Sequence, residues 1–296
     1  MFWNKLFPKK QANNNSSELI DTENIRAVVL SDMGNIRSNN EDIGMFYRIA
    51  DESIMREKGY LLIVADGMGG HKAGEVASKL ATETISQQYF KQNGIAGIEK
   101  NLFRAFTLAN KRIYELATGQ KAYHGMGTTC SAFVVVGDTV YYAHVGDSRG
   151  YLLKNKSIMR ITEDHTYVQE LVSKGEITPK EADTHPKRNI LTNAMGTKQE
   201  LKIDTGICKY PFEINDRLML CSDGLYDYLN ETEIAEALNT RSLQEAAEYM
   251  IAEAKRRGGH DNITVVLSEK TEAAKEQIAK ETRDFDLPQT REYDLP

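Results

Sequence analysis

Four aspartates fall where strand-like runs meet a turn. Asp66 follows Leu61-Leu62-Ile63-Val64-Ala65 and precedes Gly67-Met68-Gly69-Gly70, and Asp223 follows Leu218-Met219-Leu220-Cys221-Ser222 and precedes Gly224. Asp147 comes directly after a hairpin strand in Val145-Gly146-Asp147-Ser148-Arg149, and Asp261 stands in Gly258-Gly259-His260-Asp261-Asn262 just before the last strand. Asp-Gly is a common turn dipeptide, because Asp bonds its own backbone and Gly takes positive φ, so each alone reads as a turn former. What sets Asp66 apart is the glycine density behind it, since Gly lets a carbonyl and a carboxylate approach a bound ion closely. Hard oxygen donors of this kind suit magnesium or manganese, not zinc or copper. Converging on one sheet edge, the four would make a centre for such an ion.

The elements that must position them are legible as periodicities. Ile25 to Ser31, Tyr60 to Val64, Thr129 to Val136, Thr139 to His144, Arg149 to Leu153, Arg217 to Cys221 and Ile263 to Ser268 are rich in β-branched and aromatic residues and read as strands. Gly137-Asp138 between two of them is a two-residue hairpin turn, which demands antiparallel pairing. Val76, Ala77, Leu80, Ala81 and Ile85 form one helical apolar stripe. Leu102, Phe106, Ala109, Ile113 and Leu116 form a second, and Leu243, Ala246, Ala247, Met250, Ile251 and Ala254 a third. One-sided helices and one-sided hairpins must cover each other, so the expected fold is α+β, a sandwich of antiparallel sheets with helices outside. We place the folded domain at residues 24–269, after a polar leader over 1–23 and before an acidic tail over 270–296.

Composition narrows the function classes. The 296 residues carry 37 basic and 43 acidic side chains, a net charge of −6, without the basic excess that tracks a nucleic-acid backbone. No apolar run approaches the roughly 18–20 residues needed to cross a bilayer. Cys130, Cys208 and Cys221 show no paired spacing, which argues against a disulfide framework and a zinc site and makes a reducing cytoplasm the expected location. Nor does an arginine stand six residues beyond any of them, as a cysteine phosphatase requires: those positions hold Val136, Ile214 and Asp227. The glycines at 67, 69 and 70 are a weak dinucleotide signal, because no parallel βαβ repeat follows.

Seven motifs occur in an order that resembles the metal-dependent serine/threonine protein phosphatases of the type 2C family, closest to its short bacterial branch. They are Arg37-Ser38-Asn39-Asn40-Glu41-Asp42, Asp66-Gly67-Met68-Gly69-Gly70-His71, Gly127-Thr128-Thr129, Val145-Gly146-Asp147-Ser148-Arg149, Thr162-Glu163-Asp164-His165, Ser222-Asp223-Gly224-Leu225 and Gly259-His260-Asp261-Asn262-Ile263-Thr264. The resemblance implies hydrolysis of protein phosphoserine and phosphothreonine, opposing a bacterial serine/threonine kinase, with two manganese or magnesium ions in a cleft at one edge of the sandwich. It further implies that Asp66 bridges both ions, Gly67 offers its carbonyl, Asp223 and Asp261 complete the set, and Asp42 helps hold the site, with Glu41 beside it. Asp147 matches the residue holding a third, weaker ion in bacterial members, and Asp164 is a nearby candidate. Arg37 suits the phosphate, because its planar fork grips two oxygens at once. His71 stands where a leaving-group proton donor is expected; it would equally orient a water or serve as a polar helix start. Residues 166–196, with Gly175, Pro179 and His185-Pro186, match the family's flap and are expected to shape substrate choice. A catalytically silent phosphoprotein sensor of the same fold would lack a metal aspartate, and none is missing.

The ends carry signals of their own. Arg283-Asp284-Phe285-Asp286-Leu287-Pro288 recurs as Arg291-Glu292-Tyr293-Asp294-Leu295-Pro296, each copy offering one aromatic and one Leu among charges, the composition of a docking peptide. The leader offers Phe2, Trp3, Leu6 and Phe7 beside Lys9-Lys10, a single apolar anchor for a partner or a membrane surface.

Overall fold

The computed structural model describes residues 18–22, 24–69, 73–91 and 97–272. His71, most of the leader and the C-terminal repeat lie outside the described residues.

In chain order the first strands are β1 (Glu18–Asp21), β2 (Ile25–Asp32), β3 (Asp42–Tyr47) and β4 (Tyr60–Met68), with a short helix α1 (Glu52–Lys58) before β4. Two long helices follow, α2 (Ala73–Lys91) and α3 (Ile98–Gly119), and then β5 (Gly127–Thr128), β6 (Cys130–Val136), β7 (Thr139–Val145), β8 (Arg149–Lys154) and β9 (Ser157–Arg160). Beyond them come α4 (Tyr167–Ser173), α5 (Pro179–Asp183), β10 (Asp204–Ile207) and β11 (Arg217–Cys221). The described chain closes with α6 (Asp223–Tyr226), α7 (Glu231–Thr240), α8 (Leu243–Arg257) and β12 (Ile263–Lys270).

The strands form two sheets, one ordered β1-β2-β12-β11-β8-β9 and the other β10-β7-β6-β4-β3, with β5 paired to the end of β4. Every pairing is antiparallel. Gly137-Asp138 closes the expected hairpin, with Val136 opposite Thr139.

Alternation of side chains along a strand explains why the central strands read as unbroken apolar runs: both of their faces are buried. Leu62 and Val64 of β4 point inward with Phe133, Leu152, Leu218, Leu220 and Val266 to fill the space between the sheets. Their neighbours Leu61 and Ile63 point outward, onto Ala81, Ile85, Leu102 and Phe106 of α2 and α3. On the opposite outer face Val28, Met219, Val265 and Leu267 meet Ala247, Met250 and Ile251 of α8. The result is four layers, helices on two stacked antiparallel sheets. The helix starts are marked locally: Asn230 with Glu233 and Ser242 with Glu245 form reciprocal capping boxes at α7 and α8.

The sheet begins earlier than residue 24. Glu18–Asp21 pairs with β2, Leu19 opposite Val28 and Ile20 opposite Ala27. Two apolar residues between two acidic ones give no alternation long enough to mark a strand, so its existence depends on the partner. Among the described residues no helix is long and apolar enough to cross a membrane.

Candidate metal centre

Five aspartates from both sheets gather at one end of the sandwich. Asp42 opens β3 directly opposite Asp66 in β4. Asp66 lies within its strand, not at the end of it, because β5 extends the pairing: Gly67 stands opposite Thr128 and Met68 opposite Gly127. Asp223 begins α6 immediately after β11, Asp147 follows β7, and Asp261 precedes β12. The two sheets are tied together here by Ser222, whose Oγ donates to Asp42 Oδ2 at 2.7 Å and accepts from Thr264 N at 3.0 Å.

Asp66 is held from behind by the Gly127-Thr128-Thr129 segment. Its carbonyl accepts from Thr129 N at 2.9 Å and from Thr128 Oγ1 at 2.8 Å, and its N–H donates to Thr129 Oγ1 at 3.0 Å. Thr129 Oγ1 also shares a 2.7 Å hydrogen bond with Ser148 Oγ, next to Asp147. Position 67 admits only glycine, since a Cβ would stand 2.2 Å from Gly74 O and 2.7 Å from Glu41 O.

The electrostatics of this cluster are unfavourable for a protein standing alone. Burial, and then the charges of Asp42, Asp223, Asp147 and Asp261, hold the Asp66 carboxyl well above the usual range. The same two causes, with Asp147 and Asp261 as the leading neighbours, raise Asp223. Asp42 is pushed up to about 6, chiefly by burial, and Asp147 to about 7 by burial and by Asp164. Asp42 Oδ1 and Asp223 Oδ1 are both buried without a hydrogen-bond partner. Buried acceptors left unpaired among like charges are what a multivalent cation would satisfy, and a donor set made only of oxygen fits magnesium or manganese. Among the described residues no three acidic, histidine or cysteine side chains are already drawn around one point at coordination distance.

Arg37 stands at the rim, half exposed, its Nη2 donating to Asp261 Oδ2 at 2.6 Å. Asp164 is committed elsewhere: Arg149 approaches it with Nη2 at 2.8 Å and Nε at 3.2 Å, and Arg160 adds a further ion pair. Asp147 is better placed, buried and with its backbone carbonyl accepting from Tyr226 Oη at 3.0 Å. Burial raises the thiols of Cys130 and Cys221, the latter to about 12, so neither offers a ready thiolate.

The sequence profile described as Protein phosphatase 2C matches residues 51–256. The chain belongs to the protein phosphatase 2C family. It is 41% identical over 244 residues to the serine/threonine phosphatase Stp of Listeria welshimeri, which spans 81% of this chain and 94% of that protein. It superposes on the crystal structure of the Mycobacterium tuberculosis serine/threonine phosphatase PstP/Ppp with a TM-score of 0.73 at 37% identity, covering 84% of this chain and 99% of that one. The catalytic domain of PstP in complex with two manganese ions superposes with a TM-score of 0.69 at 36% identity, over 84% of this chain and 99% of that one.

Seen as a family member, the chain brings Asp42, Asp66, Gly67, Asp223 and Asp261 together at one end, with Arg37 at the rim and Asp147 alongside. A cleft of about 1080 Å³ lies next to this cluster and meets it at Asp147. One wall is the segment after Asp164, which carries α4 and α5 and is closed at its neck by an antiparallel contact between Thr166 and Leu191. From that segment Arg188 Nη2 reaches Asp227 Oδ2 at 2.8 Å, four residues beyond Asp223. Thr129, Ser148, Ser222 and Asn262 sit inside the sequence motifs, yet the sequence alone assigns them no task. Their bonds join residues far apart in the chain, and for Ser148, Ser222 and Asn262 the neighbouring aspartate is the one local signal.

Proposed function

We propose that this chain hydrolyses phosphoserine and phosphothreonine in proteins, with two manganese or magnesium ions held by Asp66, the Gly67 carbonyl, Asp223 and Asp261, and with Asp42 supporting the site. The observation that carries the reading is the pair of buried, unpartnered carboxylate oxygens on Asp42 and Asp223 within a cluster whose mutual repulsion calls for cations. The Stp and PstP proteins are named serine/threonine phosphatases, and a PstP structure holds two manganese ions.

When bound, such ions supply an activated water and neutralise charge on the phosphate oxygens. The chain's own residues do the rest. Arg37 grips the phosphate by its planar fork, exchanging its contact with Asp261 for the substrate. Thr128 and Thr129 keep the Asp66 backbone from moving as substrate arrives. His71, outside the described residues, is the proposed proton donor to the leaving alkoxide. Asp147 is the proposed holder of a third, weaker ion; Asp164, paired with two arginines, steadies the neighbouring loop. The segment over 166–196 is the proposed flap, and the C-terminal repeat a proposed docking element for a cellular partner. A bacterial serine/threonine kinase is the proposed opposing enzyme.

Phosphate release from matched phosphoserine, phosphothreonine and phosphotyrosine peptides, with manganese or with chelator, tests the reading. Release from the first two only, abolished by chelator, is expected; undiminished release in chelator would refute it.

A further inference from the structure

The loop over residues 33–41 carries Arg37 yet has almost no apolar anchorage. Its two large apolar side chains face solvent, Met33 at 38% exposure and Ile36 at 67%. What fixes it is polar. Asn262, buried one residue past Asp261, donates through Nδ2 to Met33 O at 3.0 Å and to Asn39 O at 2.9 Å. Its Oδ1 accepts from Glu41 N at 2.8 Å, and its own N–H donates to Asp261 Oδ1 at 2.8 Å. One side-chain amide therefore holds both ends of the loop, while the backbone N–H of the same residue holds one oxygen of Asp261.

The middle of the loop is fastened from the other direction. Asn35 donates through Nδ2 to Lys255 O at 2.7 Å and Gly258 O at 3.0 Å, while its N–H donates to Gly259 O at 2.7 Å. Beside it Gly34 takes φ +76°, and a Cβ there would stand 2.1 Å from Asp261 O, so the two backbones lie flush. Asp32 closes the arrangement, accepting from Gly34 N at 2.8 Å and from Lys255 Nζ at 2.9 Å.

We propose that Asn262 and Asn35 are positioning residues for Arg37, clasping its loop onto residues 255–262 so that the guanidinium meets the substrate phosphate from a fixed direction. This rests on the reading of Arg37 as the phosphate grip. A loop without an apolar anchor wanders once its polar clasp is removed, and a binding group that must be re-ordered for each substrate molecule binds phosphate more weakly while the step at the metal centre proceeds as before. The core, packed elsewhere, keeps its contacts.

The test is a double-mutant cycle in the full chain loaded with manganese. Asn262→Ala, Asn35→Ala and Arg37→Ala are made singly and in pairs, and read by kcat and KM on a phosphothreonine peptide and by inhibition with inorganic phosphate. Each asparagine variant should raise KM and weaken phosphate inhibition by about five- to tenfold, with kcat within about twofold and little change in Tm. In the Arg37→Ala background the same substitutions should add less than about twofold. Fully additive losses would overturn the proposal while leaving the Arg37 reading in place. Unchanged KM and phosphate inhibition in Arg37→Ala alone would refute that reading and the proposal with it. Should Asn262→Ala fail to fold, Asn35→Ala, an exposed side chain, decides the question alone.

Discussion

Replacing Asp42 by Asn should make the metal-free protein more stable at alkaline pH, although it removes a side chain from the heart of the site. In the folded chain Asp42 is raised from the usual 3.8 to about 6, by burial first and, among its charged neighbours, by Asp261. Between those values the folded carboxyl keeps a proton that the unfolded chain has released, so stability falls as pH rises through the window and the full cost stands above it. A shift of about two units corresponds to about 3 kcal/mol at pH 8 and about half of that at pH 5. For a domain of this size, about 2–4 °C per kcal/mol turns the larger figure into roughly 6–12 °C in Tm. Asn keeps an oxygen for Ser222 Oγ, which donates to Asp42 Oδ2 at 2.7 Å, and gives a neutral group beside Asp66. The assay is thermal unfolding of both proteins at pH 5 and pH 8 in chelator, repeated with manganese. Asp42→Asn should melt higher in chelator at pH 8, with the gap roughly halved at pH 5, and should gain less from manganese than the wild type. A variant less stable than the wild type by the same margin at both pH values would refute the electrostatic reasoning.

Three further outcomes follow from the same geometry. Asp66→Asn and Asp223→Asn should each lower phosphopeptide turnover by about three orders of magnitude, with far-ultraviolet circular dichroism unchanged; near wild-type turnover in either would contradict their role. Asp164→Asn strips a buried partner from Arg149 and Arg160 and should destabilise by about 3 kcal/mol in urea unfolding, an effect too large for a loose surface pair. Asp147→Ala should reduce turnover of phosphopeptide while leaving binding of the first two manganese equivalents intact by calorimetry, and a wild-type rate would return Asp147 to a turn-forming role.

Much of this arrangement was legible in the sequence because it is written in local patterns. Unbroken apolar runs such as Leu61 to Ala65 mark strands buried on both faces, and the one-sided stripes from Val76, Leu102 and Leu243 mark the helices that cover them. The aspartates stand out because they close those runs beside glycine. Harder to see were features that exist only through a partner. Glu18–Asp21 is a strand because Val28 and Ala27 lie opposite, and Asp204–Ile207 because it borders β7. The sequence also ends the strand before Asp66, whereas pairing with Thr128 carries it through Gly67 to Met68. The clasp of Asn262 on Met33, Asn39 and Glu41 spans more than 220 positions, a distance at which an isolated asparagine gives no signal.

The most direct test of the central claim is anomalous diffraction at the manganese edge from crystals of the full chain grown with manganese. Two strong peaks bounded by the carboxylates of Asp66, Asp223 and Asp261 and the carbonyl of Gly67 are the predicted result. Manganese bound elsewhere, with those oxygens still unpartnered, would contradict the account.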